Sequence, residues 1–128
     1  MAKHHGDTLD AIAFELLAQT ERYEEDVTEL ARCWGDDSSM SRYMAVSALA
    51  DRMRDLAQSI PGLGVQWMTF LISHVELTHL LWRRSQGQAG DAGVQEHLEG
   101  HLVAAQLLGR ACRRRLLGSA AAGGVPRM

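Results

Sequence analysis

Apolar residues recur along this chain at helical spacing, and no stretch alternates apolar and polar positions as a half-buried strand does. In the first periodic segment, residues 8–34, the stripe is Leu9, Ala13, Leu16, Thr20, Tyr23, Val27, Leu30 and Trp34. Its steps alternate between four and three residues, which makes a heptad seam. Ile12, Leu17 and Ala31 widen that seam to the face a globular bundle requires. Asp7 stands where an N-cap belongs, and Gly35 followed by two aspartates and two serines marks the stop. A second segment, residues 40–58, carries the seam Tyr43, Val46, Ala50, Met53, Ala57 and Ile60, with Leu49 and Leu56 beside it; Pro61, Gly62 and Gly64 break the chain after it. The fourth, residues 92–117, presents Val94, Leu98, Leu102, Ala105, Leu108, Cys112 and Leu116 on one face, with Asp91 as its cap.

The third segment, residues 64–86, differs because apolar residues cover most of its circumference. One stripe holds Met68, Ile72, Val75 and Trp82, and these are expected to face the core. A second stripe, over about 100° away, holds Trp67, Phe70, Leu77 and Leu81. Four helices joined by short connections predict an all-α fold, an antiparallel up-down-up-down four-helix bundle. The expected organisation is a flexible N-terminus at residues 1–7, one bundle domain at 8–117, and a disordered C-terminal tail at 118–128, where small residues offer nothing to pack.

Charge and composition narrow the function classes. The 13 Lys and Arg against 16 Asp and Glu give a net charge of −3, which argues against a nucleic-acid partner. Charge is uneven: residues 1–39 carry 3 cations and 10 anions, whereas residues 40–86 and 87–128 each carry 5 and 3. An acidic first helix between more basic neighbours is a solvated face that also helps fix topology. The apolar stretch from Val65 to Trp82 is interrupted by Gln66, Thr69, Ser73, His74, Glu76, Thr78 and His79, so no membrane span is expected. Two cysteines, Cys33 and Cys112, make no disulfide framework, and the polar N-terminus shows no signal-peptide core. The chain is therefore expected to be cytoplasmic.

Candidate chemistry centres on histidine. His97 and His101 lie four residues apart on the fourth helix, and His79 lies on the third at a matching distance from the connecting loop. Imidazole ligates zinc and the other late transition metals, so His79, His97 and His101, with Glu76 one turn before His79, form a candidate metal site. Glu76-Leu77-Thr78-His79 resembles half of the motif pair of ferritin-like di-iron proteins, but the fourth helix holds no second copy, and the first two helices lack the histidines of hemerythrin-like proteins. His97-Leu98-Glu99-Gly100 resembles the phospho-accepting segment of histidine phosphotransfer domains, without that family's lysine and glycine spacing. Glu21, Glu24 and Glu25 resemble part of the magnesium motif of helical nucleotide pyrophosphohydrolases, with no acids from the next helix to complete it. Arg110, Arg113, Arg114 and Arg115 are read as cations stabilising the C-terminal end of the last helix.

No nucleophile–base pair or phosphate-cradling loop is present. The reading is a non-enzymatic helical interaction or regulatory module acting as a homodimer, with a further protein partner unspecified and no cofactor required. The alternative is a small metal-binding bundle that uses the histidines, with zinc or another transition metal. The excess apolar face of the third helix points to a dimer interface containing Trp67, Phe70, His74, Leu77 and Leu81, since isologous pairing is the common way to cover such a surface.

Overall fold

The computed structural model describes the backbone of residues 2–124 and the side chains of residues 8–119. It contains four α-helices, α1 (Ala2–Arg32), α2 (Ser39–Gln58), α3 (Gly64–Ser85) and α4 (Asp91–Gly124), and no strand occurs among the described residues. Connections of five or six residues join successive helices, short enough to keep them within one bundle. Each connection contains one glycine in the left-handed region, Gly35, Gly62 and Gly87, where a side chain would strain the backbone. The chain is an all-α four-helix bundle.

The two longest helices form its centre. α1 packs along α2 and α4, α4 packs along α1 and α3, and α2 and α3 touch each other only slightly. The seams of α1, α2 and α4 lie where the periodicity places them. Leu16, Tyr23, Val27 and Leu30 meet Val46, Leu49 and Met53 on one side and Ala105, Leu108 and Cys112 on the other. Edge-to-face rings close one end of the bundle: Trp82 stands 4.8 Å from Trp34 and 5.6 Å from Tyr43. There the Trp34 indole N–H donates to Ser85 Oγ at 2.6 Å, pinning the α1–α2 connection to the end of α3.

Three expectations change. The helices run past their predicted ends: α1 begins at Ala2, so Asp7 lies inside it, and α4 continues through residues 118–124. Ala120, Ala121 and Ala122 are strong helix formers, and Ser119 Oγ donates to Asp10 Oδ1 at 3.0 Å, which keeps α4 beside α1 beyond the predicted boundary. The part of the expected tail at residues 125–128 lies outside the described residues. Second, no basic residue occupies the last turn of α4. The four arginines sit too far inside the helix for the macrodipole, whose influence fades within a turn of the end.

The third change is in α3, whose two faces are exchanged. Trp67, Phe70, Leu77 and Leu81 are buried in the core, whereas Met68, Ile72, Val75 and Trp82 are exposed. The proposed interface residues Trp67, Phe70, Leu77 and Leu81 are therefore core residues with no free surface, and His74, half-buried, turns inward as well. The cause is size and polarity together. Each stripe carries one tryptophan, and Phe70 gives the inner one a second large ring that the outer stripe lacks. Only the face with Ser73 and His74 can answer the polar groups that α1 and α4 place in the core.

Candidate functional site

Polar side chains at seam positions are the core's irregular feature. Thr20 and His101 are fully buried, and so is the ring of Tyr23. Thr20 is satisfied locally, its hydroxyl donating to the Leu16 carbonyl at 2.7 Å. Tyr23 and His101 need partners from other helices. The Tyr23 hydroxyl lies 2.6 Å from His74 Nδ1 and 2.5 Å from His101 Nε2, and His101 Nδ1 lies 2.5 Å from Ser73 Oγ.

Proton counting orients this network. The Ser73 hydroxyl donates to the Phe70 carbonyl at 2.9 Å, so its single proton is committed and Oγ accepts from His101 Nδ1–H. His101 Nε2 then carries the lone pair and accepts from the Tyr23 hydroxyl, whose oxygen accepts in turn from His74 Nδ1–H. Four hydrogen bonds run in one direction from α3 through α1 and α4 and back to α3. The Phe70 ring seals them, 4.8 Å from the Tyr23 ring and 5.0 Å from that of His101.

Electrostatics hold every member neutral. Burial pushes the Tyr23 phenol well above its ordinary range. Burial lowers His101 to about 3, and the neighbouring His74 adds to the effect. His74 is lowered by its own burial, with Asp51 of α2 opposing the shift. A neutral hydrogen-bonded chain of this kind ties three helices into one register.

The candidate metal residues do not assemble. His101 belongs to the buried network, while His79, His97 and Glu76 are exposed. His97 Nδ1–H donates to the Gly93 carbonyl on its own helix at 3.1 Å. His97 and His101 differ by about 40° around the helix, and the edge of the core passes between them. Among the described residues no three His, Cys, Asp or Glu side chains converge on a common point. Of the proposed ligands, then, the structure keeps only His101 in a polar cluster, and its neighbours there are Tyr23, Ser73 and His74. A signal for that cluster existed in the sequence: seam positions on α1 and α4 held a tyrosine and a histidine that needed hydrogen-bond partners.

The other notable feature is the outside of α3. Val65, Met68, Ile72, Val75 and Trp82 are 76, 52, 53, 55 and 38% exposed. With exposed His79 between the last two, their steps are three, four, three, four and three. Inside, Leu63, Trp67, Phe70, His74, Leu77 and Leu81 repeat at four, three, four, three and four. The helix thus carries two heptad seams back to back, one filled by the bundle and one facing outward, covered within the protomer only at Trp82, where Trp34 and Tyr43 pack on it. Beside the outer seam, Val65 and Thr69 of α3 and Ala104, Leu107 and Arg114 of α4 line a cavity of about 180 Å³. No helix among the described residues is long and apolar enough to cross a membrane. Comparison with known proteins returned no matching family model, no matching curated protein and no matching solved structure.

Proposed function

We propose that the protein is a non-enzymatic helical interaction module that acts as a homodimer, with the outer seam of α3 as its pairing surface. The observation that carries this reading is the pair of opposed seams on one helix. Among the described residues, five of the eleven large hydrophobic side chains that stand exposed belong to α3, and they are strung along a single face about 26 Å long, by the helical rise. Isolated exposed hydrophobics are ordinary, whereas a contiguous stripe with coiled-coil spacing is a surface built to meet another helix. A second copy is the occupant the pattern fits, because a 3-4-3-4-3 stripe reads the same in both directions and so complements itself. The buried network supports the same reading, since its central groups, Tyr23 and His101, are fully enclosed by the core.

The test is to charge the seam where the single protomer will not notice. Ile72→Glu with Val75→Glu replaces two side chains that are more than half exposed, so the fold should lose no more than about 0.5 kcal/mol per site. Helical circular dichroism and melting of the isolated protomer should stay as they are, while the molar mass by light scattering falls from dimer to monomer. A double variant that keeps the mass of a dimeric wild type would overturn α3 as the pairing surface.

A further inference from the structure

The arginines of α4 lie too deep in the helix to act on its dipole, and two of them point to a second feature. Glu96, Glu99, Val103, Leu107, Arg110 and Arg114 follow one another at steps of three or four residues along one exposed side of α4. Their order is acid, apolar, base. Val103 and Leu107 are 53 and 40% exposed. Among the described residues Glu96, Arg110 and Arg114 enter no ion pair, whereas neighbouring Arg113 is held by Glu21 of α1 at 2.8 Å. Leu107 and Arg114 border the same cavity as Val65 of the outer seam, so the two stripes lie side by side and make one surface.

We propose that two copies meet through this joint α3–α4 surface with their helices antiparallel, the acidic end of each α4 against the basic end of the other. The inference rests on the homodimer reading and adds orientation and a second contact stripe to it. Side-by-side parallel copies would set Glu96 and Glu99 against themselves and the arginines against themselves, and like charges across an interface disfavour that arrangement. Reversal sets Glu96 against the partner's Arg114, Glu99 against the partner's Arg110, and Val103 against the partner's Leu107, about a centre at Ala105. The α3 seam accepts the same reversal about a centre between Ser73 and His74, with Ile72 against the partner's Val75, Met68 against the partner's His79, and Val65 against the partner's Trp82.

The Ser73–His101 hydrogen bond sets the two centres about one helical turn apart. A two-fold axis midway between them sets Glu96 against the partner's Arg110 and shifts the α3 pairs by about one turn, with Met68 now against the partner's Val75, so opposite charges and apolar side chains still meet. The wider surface also answers a question of size. A seam one helix wide falls short of the roughly 800 Å² per partner that stable interfaces bury, and the α4 stripe extends it.

Spin labels on exposed α3 positions read the orientation. With Cys33→Ser as background, Glu76→Cys and Arg83→Cys are labelled separately and their dipolar distances measured. With the axis midway between the two centres, antiparallel pairing places the two Glu76 labels about 14 Å apart along the helix direction and the two Arg83 labels about 35 Å apart. Short distances at both sites would overturn the antiparallel orientation while leaving the dimer intact. Uncoupled labels at both sites, under conditions where the wild type is also monomeric, would overturn the homodimer reading and this orientation with it. Charge reversal is the second readout. Arg110→Glu with Arg114→Glu should weaken self-association about tenfold or more, and adding Glu96→Arg and Glu99→Arg should restore it. A fourfold swap that fails to recover association, in chains that remain helical, would contradict the role given to α4.

Discussion

Acidification from pH 6.5 to 5 should destabilise the bundle by about 2 kcal/mol, with further loss down to about pH 3. His101 accounts for the window. Its imidazole, lowered to about 3 by burial, stays neutral in the folded protein, whereas in the unfolded chain it takes up a proton near the ordinary value of about 6.5. Between these values the unfolded state holds the extra proton, so stability is present above pH 6.5 and falls with pH at about 1.4 kcal/mol per unit. His74 is shifted in the same direction and adds to the slope. Against a total stability of about 5–15 kcal/mol, the whole window is enough to make the domain acid-labile. Denaturant titrations at fixed protein concentration and at successive pH values would measure it. His101→Gln, which does not titrate, should reduce the slope between pH 6.5 and 5 to the part that His74 contributes, in a range where ordinary carboxylates remain ionised. A wild-type midpoint constant from pH 7 to pH 4 would show that His101 is not the buried neutral base described here.

Phe70→Ala should cost about 3–5 kcal/mol, while Ile72→Ala, two residues away on the same helix, should change protomer stability by no more than about 0.5 kcal/mol. Phe70 is fully buried and stacks near Trp67 at 5.3 Å between ring centres, in addition to Tyr23 and His101. Its removal opens a cavity and admits water to the hydrogen-bonded chain. Ile72 is 53% exposed, so truncating it removes little from the protomer. Measured in the monomeric Ile72→Glu, Val75→Glu background for Phe70, and at low protein concentration for Ile72, the ratio of the two costs reads directly which face of α3 is inside. Equal costs, or a larger one at Ile72, would restore the face assignment drawn from periodicity alone.

That assignment marks where the sequence stops being sufficient. On α1, α2 and α4 one continuous apolar seam stands against an outer face where apolar residues are few, so the period alone says which residues go inside, and Leu16, Val27, Met53 and Leu108 are buried accordingly. On α3 both seams are apolar and both carry heptad spacing. Choosing between them requires knowing that Tyr23 and His101 occupy the core and need Ser73 and His74 opposite. That is a three-helix condition, and no single helix displays it. The HxxxH spacing misled for a related reason. A four-residue step brings two rings to one side of a helix, yet the boundary of the core can fall between them, as it does between exposed His97 and buried His101. The arginines were legible as a cluster, and only the extension of α4 to Gly124 removes the helix-end explanation and leaves the acid–apolar–base order of the exposed face in view.

The most direct test of the central claim, that α3 keeps one seam for its own core and one for a second copy, is the molar mass of the untagged wild-type chain in solution. Light scattering across a dilution series at tens of micromolar should give twice the 14.1 kDa of the protomer, falling toward one protomer on dilution. A mass of one protomer throughout that range would contradict it.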